Sequence, residues 1–197
     1  LSFSASVDGN ALVSVDGTTL SVVPDLNYSG DIAVTVVVSD GEYSDSDTFV
    51  LTVNNLNDAP TVNAIANETI FEDETFEMAV SGNDVDLDDV ISFSASVDGN
   101  ASASVDGTAL TVVPDLNYSG SIEVTVTATD IAGETGQASF TLSVLAVNDA
   151  PVVDAILDHE TDEDQAFEIV LSASDVDGDD LSFSASVDGN ALVSVDG

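Results

Sequence analysis

Acidic side chains are gathered in short clusters in this sequence, and each cluster recurs at a matching place further along. One kind reads NDVDLDD at 83–89 and DVDGDD at 175–180, and another reads FEDE at 71–74 and DED at 162–164. Calcium in proteins takes roughly six to eight oxygen ligands from carboxylates, amide and backbone carbonyls and water. Because two carboxylates separated by one residue in a loop can converge on one ion, the chemistry that these clusters could perform is cation binding.

Three further features repeat in the same way and add oxygen ligands. The first is a PDLN loop, at 24–27 and 114–117. The second is an Asp at the end of a Val/Thr-rich segment, Asp40 and Asp130, and the third is an Asn-Asp pair shortly before a proline, at 57–58 and 148–149. For any single cluster, ordinary turn chemistry explains the residues equally well, because Asp, Asn and Gly are favoured in turns. The recurrence of the whole set favours metal binding.

The charge of the chain is extreme, since it has 38 Asp and Glu residues and no Lys or Arg, for a formal net charge of −38. No basic side chain can neutralise phosphates, so nucleic acid and anionic membrane surfaces are excluded as partners. Repulsion between the acids must be offset by salt, water or bound cations. Two interpretations stay open and are compatible: a solvated acidic surface suited to salty surroundings, and a protein that binds divalent metal.

Catalytic side chains are scarce. The chain has one histidine, His159, and no cysteine, so a Ser-His-Asp set cannot be built in each unit. Composition leaves a catalytic pair of carboxylates open, but an enzyme rarely needs one active site per structural repeat. We therefore predict that the chain is not an enzyme. No apolar run reaches the length of a membrane-spanning helix, and we expect no membrane insertion in this segment.

The elements that must position the acids form a repeat. Residues 1–17 and 181–197 are identical (LSFSASVDGNALVSVDG), and 91–107 is an imperfect copy, so successive copies start 90 residues apart. Self-similarity at a fixed period indicates an array of one structural unit.

Unit boundaries are predicted at the two NDAP segments, because proline fits a strand start or a linker. The sequence then divides into the C-terminal part of a repeat at 1–59, a complete repeat at 60–150 and the N-terminal part of the next repeat at 151–197. We expect the two outer parts to be complementary parts of one sandwich, either within a longer array or paired between chains.

Each unit carries the pattern of a β-sandwich. LSFSASV alternates apolar and polar residues, as in a half-buried strand, and Asp8-Gly9 and Asp16-Gly17 predict hairpin turns joining three short strands. Short strands rich in Val, Thr, Ile and Phe indicate an antiparallel sandwich. Seven strands are predicted in the complete unit, at 61–73, 75–81, 91–97, 101–105, 109–114, 122–128 and 138–146.

The order of these motifs resembles the cadherin repeat and its bacterial cadherin-like relatives, which occur in tandem in very large surface proteins and adhesins. FEDE lies where cadherins carry their strand-A Glu motif, DVD matches the Asp-x-Asp motif, and ATD (128–130) and VSD (38–40) resemble the Ala-x-Asp motif. NLNDAP and AVNDAP resemble the inter-repeat linker without its leading Asp and final Asn. DLN stands near the place of the Asp-Arg-Glu motif but lacks the arginine and glutamate, so fewer ions per junction are implied than in animal cadherins.

The resemblance implies tandem Ig-like or cadherin-like Greek-key β-sandwiches, all-β, of about 90 residues per repeat, with Ca2+ between successive repeats. The first junction would be formed by Asp25, Asn27, Asn57, Asp58, Asp84, Asp86 and Asp130. The second junction would be formed by Glu72, Asp73, Glu74, Asp115, Asn117, Asn148, Asp149, Asp175 and Asp177.

The function implied by the resemblance is a calcium-stiffened extracellular array, structural or adhesive, that forms a rod or fibre on the cell surface. Its partners would be neighbouring repeats, other copies of the same chain and a cell-surface or glycan target. The alternative is a carbohydrate- or protein-binding sandwich module attached to a secreted protein. It ranks second because the chain has no Trp and its Phe residues occupy alternating core positions, which leaves no aromatic platform.

Overall fold

The computed structural model of the protein describes residues 1–86, 90–189 and 191–195. Within these ranges the regular secondary structure consists only of β-strands, which confirms the predicted all-β class. In chain order the strands are β1 Ser2–Val7, β2 Ala11–Asp16, β3 Thr19–Pro24, β4 Gly30–Ser39, β5 Ser44–Val53, β6 Thr61–Val62, β7 Glu68–Phe71, β8 Phe76–Ala79, β9 Gly82–Asn83, β10 Ser92–Val97, β11 Ala101–Asp106, β12 Ala109–Pro114, β13 Gly120–Thr129, β14 Thr135–Leu145, β15 Val152–Val153 and β16 Ala173–Ser174.

Residues 60–150 form a two-sheet sandwich. One sheet has the strand order β10-β13-β14-β7 and the other has the order β11-β12-β8. The pairs within these sheets are antiparallel, except that β14 and β7 run parallel. The chain crosses from one sheet to the other between β10 and β11 and again between β12 and β13, as Greek-key sandwiches do.

Alternation along the strands fills the core between the two sheets. Ile122, Val124 and Val126 of β13 are fully buried, and so are Leu110 and Val112 of β12. A ring of β8 also meets a ring of β14 across the core, with the centroids of Phe76 and Phe140 separated by 5.8 Å. Both sheets contribute apolar side chains to one cluster, so burial of that cluster holds the sheets together.

Residues 1–59 repeat the later part of this sandwich. β4 pairs with β1 and β5 in the same register in which β13 pairs with β10 and β14 in the complete unit. β2 pairs with β3 in the same register in which β11 pairs with β12. Among the described residues of this segment, no strand corresponds to β7 or β8. Phe49 is therefore 46% exposed, whereas Phe140, at the same position of the register, is 3% exposed.

The described residues from 151 onward contain one pair of short strands, β15 with β16. Large apolar side chains of this segment face solvent, with Val170 94% exposed and Leu157 77% exposed. Between the two strands, residues 167–170 (FEIV) resemble β8 (FEMA), whereas residues 159–162 (HETD) have Thr161 and Asp162 in place of Ile70 and Phe71 of β7. Neither stretch forms a strand here. The predicted unit boundaries at Pro60 and Pro151 stay a prediction.

The predicted hairpin at Asp8-Gly9 is wrong. β1 pairs with β4 and β2 pairs with β3, so this turn leads the chain from one sheet to the other. The reason is a contact distant in sequence: the Asp8 carboxylate accepts a hydrogen bond from the Ala33 N–H at 3.0 Å, which ties the turn to the neighbouring strand. Asp98 does the same with the Glu123 N–H at 3.0 Å. Asp16-Gly17 joins paired strands as predicted.

The single strand predicted at 61–73 is also wrong, because the structure divides it into β6 and β7. β6 pairs with β9, whereas β7 pairs with β14, so the two parts have different partners. The short strand β9 was not predicted, since two residues give no periodic signal. The other six predicted strands coincide with β8 and β10 to β14 within a few residues at each end.

Candidate metal centre

Each linker lies against the Asp-x-Asp loop that follows it in the chain. The Asp58 N–H donates to Asp86 Oδ2 at 2.8 Å, and the Asp149 N–H donates to Asp177 Oδ2 at 2.7 Å. Pairing of β6 with β9, and of β15 with β16, brings the residues just after each proline beside those just before each loop. The backbone of β14 also packs against the first linker, because a Cβ at Gly136 would overlap the Pro60 carbonyl.

Both Asp-x-Asp loops fold in the same way. Asp84 Oδ1 accepts the Asp86 N–H at 2.9 Å, and Asp175 Oδ1 accepts the Asp177 N–H at 2.9 Å. This side-chain turn, common for Asp in loops, uses one oxygen of the first carboxylate. It also presents the carboxylate of the second Asp to the linker amide.

The polar cluster at the first linker contains two amide side chains. Asn57 Nδ2 donates to Asp130 Oδ2 at 2.8 Å, and Asn55 Nδ2 donates to Asp86 Oδ1 at 2.8 Å. Asn55 was absent from the predicted site. Comparison of the repeats gave no reason to include it, because Ala146 takes its place before the second linker.

Several donors hold the pKa of Asp130 below the ordinary value of an aspartate. The largest cause is the hydrogen bond from the Asn57 side chain, and the backbone N–H groups of Glu134, Gly133 and Ala132 act in the same direction, against burial. Asp130 Oδ1 accepts the Gly133 N–H at 2.6 Å and the Glu134 N–H at 2.8 Å. The carboxylate is buried, 6% exposed, and satisfied by the protein itself.

The second linker is surrounded by acids. Glu72 follows β7 and is 6% exposed, and its N–H donates to the Leu145 carbonyl at 2.9 Å. Its Oε1 accepts the Val147 N–H, so Glu72 continues the contact of β7 with β14 up to the linker. Carboxylate oxygens of Glu72, Asp149 and Asp177 all lie within 4.8 Å of one another.

This crowding raises the pKa of Asp149. Burial is the largest cause, followed by the negative charges of Asp177, Asp73, Glu72 and Asp175. Both causes disfavour the ionised carboxyl group, and a bound cation would act against both. The acids predicted from the FEDE segment, the linker and the Asp-x-Asp loop therefore lie close together at the second linker, namely Glu72, Asp73, Asp149, Asp175 and Asp177.

Two buried carboxylate oxygens have no hydrogen-bond partner among the described residues. They are Asp84 Oδ2 at the first linker and Asp149 Oδ2 at the second. Buried polar atoms are nearly always paired, and unpaired carboxylate oxygens in an all-oxygen set are the ligands that Ca2+ prefers. The residues present therefore fit a hard divalent cation.

Other predicted ligands have different positions. The Asn117 N–H donates to Asp73 Oδ1 at 3.0 Å, which brings the PDLN loop to a strand-A acid. Glu74 Oε2 accepts the Phe71 N–H at 3.0 Å and so closes its own turn. Asn148 Nδ2 donates to the Asp149 carbonyl at 2.8 Å.

The remaining predicted ligands are not joined to the linkers. Within the described ranges, no hydrogen bond connects the side chains of Asp25, Asn27 or Asp115 to either cluster. Asn27 and Asn117 both have φ of 57°, a left-handed conformation that Asn tolerates in turns. The role of the PDLN residues as ligands stays a prediction.

Residues 57–143 match the sequence model of a family described as the bacterial Ig domain. This segment is similar to bacterial Ig domains. It extends from the first linker into β14 and includes the first Asp-x-Asp loop. The predicted resemblance to bacterial Ig-like repeats is confirmed. No curated protein matches the chain.

Solved structures similar to this chain include cadherin ectodomains. Protocadherin gammaB7 EC3-6, in a cis-dimer structure, is 20% identical with a TM-score of 0.47, over 88% of this chain and 51% of that chain. Mouse cadherin-23 EC22-24 is 19% identical with a TM-score of 0.47, over 74% of this chain and 53% of that chain. An endo-fucoidan hydrolase of glycoside hydrolase family 107 is 16% identical with a TM-score of 0.35, over 74% of this chain and 24% of that chain.

The chain thus spans between about a quarter and about half of the length of these solved chains. In the described part of the protein, no helix is long and apolar enough to cross a bilayer.

Proposed function

We propose that this chain belongs to an extracellular array of repeats that calcium stiffens, with a structural or adhesive and non-enzymatic role. The observation that carries the proposal is the convergence of Glu72, Asp149 and Asp177, whose carboxylate oxygens lie within 4.8 Å of one another at a linker. Such a set is repulsive by itself, and the unpaired Asp149 Oδ2 offers a free ligand. The bacterial Ig domain at 57–143 supports a repeat on the cell surface.

Ca2+ at the second linker would be held by strand-A, linker and Asp-x-Asp acids, namely Glu72, Asp73, Asp149, Asp175 and Asp177. At the first linker it would be held by Asp58, Asp84 and Asp86, with Asn57 and Asp130 beside them. The bound ion supplies positive charge to acids that otherwise repel one another. The protein supplies the folded Asp-x-Asp loops and the linker contacts that hold these acids in place.

Stiffening follows from the position of the acids. The linker amide already contacts the Asp-x-Asp loop at both places, by Asp58 with Asp86 and by Asp149 with Asp177. Without cations, repulsion between facing acids opposes a fixed angle, since salt screens charges only beyond roughly 8 Å at physiological ionic strength. Cations shared by strand A, the linker and the loop would fix that angle.

The test is calcium titration of the chain, followed by thermal unfolding and small-angle scattering. A dissociation constant of order 10⁻⁴–10⁻³ M is expected for an extracellular module. Filling one site to about 100 times that constant would stabilise the fold by about 2.7 kcal/mol. Calcium should therefore raise the melting temperature and lengthen the particle relative to chelator.

A matched pair of variants makes the test specific. Glu72→Gln with Asp177→Asn should remove the part of the calcium effect that comes from the second linker. Asp45→Asn with Asp47→Asn removes the same charge from exposed positions of β5 and should retain it. The proposal is wrong if chelator changes neither length nor melting temperature, or if magnesium and sodium act as well as calcium.

A further inference from the structure

β10 is an edge strand inside the complete unit. It pairs with β13 on one side, and in the part of the chain that the structure describes no strand pairs with it on the other. The strand has the sequence SFSASV, and all of its residues pair with β13 in an unbroken register. Such an edge presents a row of unpaired backbone N–H and C=O groups, which is a template for pairing with another strand.

The usual protection of an edge strand is missing from β10. Natural proteins protect edges with charged side chains, proline or β-bulges, and β10 has none of these, although 38 of the 197 residues of the chain are acidic. Between positions 91 and 105 the one acid is Asp98, and its carboxylate accepts the Glu123 N–H at 3.0 Å. Residues 68–77, which include β7 at the opposite edge of the same sheet, contain five acids. A second acidic chain therefore meets less repulsion at β10 than at β7.

The backbone groups that face the open edge follow from the pairing with β13. The Asp98 N–H donates to the Glu123 carbonyl at 3.2 Å, so these two residues form a hydrogen-bonded pair. Because hydrogen-bonded and non-hydrogen-bonded pairs alternate in an antiparallel ladder, the serines of β10 direct their backbone groups toward β13. Phe93, Ala95 and Val97 direct theirs toward the open edge, and we call their N–H groups the open-edge amides.

A second, antiparallel copy of β10 would match these groups. If Ala95 lies opposite Ala95 of the second copy, Phe93 lies opposite Val97 of the second copy, and each such pair can exchange two hydrogen bonds. The side chains of these residues pack partly buried against the core of the unit. An aromatic ring opposite a β-branched side chain is also a favourable cross-strand pair. Every other antiparallel register of the two strands uses fewer of the three open positions.

The outer face of the strand matches in the same register. Ser94 lies opposite Ser96 of the second copy, so hydroxyl groups meet at exposed positions. Asp98 lies opposite Ser92 of the second copy, and a carboxylate therefore faces a hydroxyl group and not a second carboxylate. Apolar residues thus meet on the inner face and polar, uncharged residues on the outer face.

We infer that β10 of one copy of this chain pairs edge to edge and antiparallel with β10 of a second copy, with the two Ala95 residues opposite each other. This inference does not depend on the proposed calcium function. β1 has the same sequence as β10 and pairs with β4 as β10 pairs with β13. Because the copies of this segment start 90 residues apart, two arrays of opposite direction would meet such edges at a matched spacing, and linked weak contacts strengthen one another.

The charge of the two copies sets the conditions for association. Each copy has a formal net charge of −38, and this repulsion reaches far at low ionic strength. The screening length falls from about 30 Å at 0.01 M salt to about 8 Å at 0.15 M. Association in chelator should therefore strengthen as sodium chloride is raised over this range.

Amide hydrogen exchange of the 197-residue chain in chelator, combined with sedimentation velocity on the same samples, tests the pairing. The open-edge amides should exchange at least about tenfold more slowly in the associated form than in the monomer. The amides of the β10 serines should be protected in both, because they bond to β13. A chain that is monomeric at every concentration and salt, or an oligomer with unprotected open-edge amides, overturns the inference.

Cross-linking tests the register, since the chain has no cysteine of its own. In a non-hydrogen-bonded pair the Cα atoms are about 4.5 Å apart, which a disulfide can span. A mixture of a Ser94→Cys chain with a Ser96→Cys chain should therefore form a disulfide-linked heterodimer on oxidation. Neither variant alone should cross-link efficiently, and Ser94→Cys mixed with Thr135→Cys, at an exposed position of β14, should not. Cross-linking that is as efficient in these controls as in the mixture overturns the register.

A pair of charge variants tests the edge itself. Ser94→Asp with Ser96→Asp places like charges directly opposite each other in the inferred register, which is destabilising, and should abolish the concentration-dependent protection of the open-edge amides. Thr69→Asp with Thr135→Asp adds the same charge at exposed positions of β7 and β14 and should retain that protection. Protection of the β13 amides in both variants shows that the unit is folded. Open-edge protection that survives the change at Ser94 and Ser96 overturns the inference.

Discussion

Residues 1–59 and the later part of the sandwich at 91–150 have similar sequences and the same strand pairing, but their burial differs. Leu20 is partly buried, whereas its repeat equivalent Leu110 is fully buried. Phe49 and Phe140 differ in the same direction. Pairing within a sheet is therefore set by the strands themselves, through alternation and turns. Burial of the face between the sheets depends on β7 and β8.

The two regions also differ at their linkers. Asp58 and Asp149 are repeat equivalents, and each donates its N–H to the second Asp of an Asp-x-Asp loop. Glu72 and Asp73 stand beside Asp149 and help to raise its pKa. The described residues of 1–59 have no strand-A acid to do this at Asp58. β7, which completes the apolar core, is thus also the strand that is followed directly by the acids that repel Asp149 at the linker.

The largest predicted effect compares Leu110→Ala with Leu20→Ala. Leu110 is fully buried in the core, so its truncation should destabilise the unit by about 2–5 kcal/mol. Leu20 lies in a half-covered sheet, so the same change should cost less than about 2 kcal/mol there. Amide hydrogen exchange in β13 and β4 measures the two regions separately.

The control is Ser104→Ala, at an exposed position of β11, which should change exchange in neither region. Equal losses for Leu110→Ala and Leu20→Ala would mean that the face of 1–59 is covered in solution.

How much of the fold could be predicted from the sequence depends on how far apart in the chain the interacting residues lie. Alternation such as that in LSFSASV and VTVTATD predicted six of the strands, because a half-buried strand has a period of two. The wrong hairpin at Asp8-Gly9 shows the limit of that signal. A turn pair indicates a reversal, but the Asp8 contact with Ala33, 25 residues away, decides which sheet the chain enters.

The candidate site shows the same limit. Repetition predicted the linker and Asp-x-Asp acids, and the structure brings Glu72, Asp149 and Asp177 together. Repetition could not predict Asn55, since its partner Asp86 is 31 residues away and the equivalent position holds Ala146. Side-chain amides that act at one linker alone leave no periodic signal.

The next prediction compares Asp149→Asn with Asp58→Asn in chelator. Asp149→Asn removes a charge that four neighbouring acids oppose, so it should raise the melting temperature by a few degrees. Asp58→Asn should change the melting temperature less, because no strand-A acid stands beside it among the described residues. In calcium the order should reverse, with Asp149→Asn losing more of the calcium gain. Thermal unfolding of both variants in the two conditions measures these differences.

The pH dependence gives an independent check on Asp149. Its raised pKa means that the folded state binds a proton more tightly than the unfolded state does. In chelator this group should therefore add stability as the pH falls from neutral through its raised pKa, and Asp149→Asn should remove that part of the profile. A profile identical in wild type and Asp149→Asn would contradict the predicted repulsion.

The smallest predicted effect concerns Asp130 and Asp40, which directly follow the equivalent strands β13 and β4. Both have a pKa below the ordinary value of an aspartate. The N–H groups of Tyr43 and Glu42 are the largest causes for Asp40, and the Asn57 side chain is the largest for Asp130. Asn57→Ala should therefore raise the pKa of Asp130 and leave that of Asp40 unchanged.

The sign of the effect on stability follows from linkage. A carboxyl group with a depressed folded-state pKa stabilises the fold above its unfolded-state pKa, and this contribution disappears as the pH falls through the folded-state value. With Asn57→Ala, the contribution of Asp130 should shrink and disappear at a higher pH than in the wild type. Carboxyl ¹³C shifts measured by NMR during an acid titration in chelator follow both groups in one sample. Equal movement of Asp40 and Asp130, or of neither, would show that the linker amide does not hold this carboxylate, and that the first linker is fixed to its unit by backbone contacts instead.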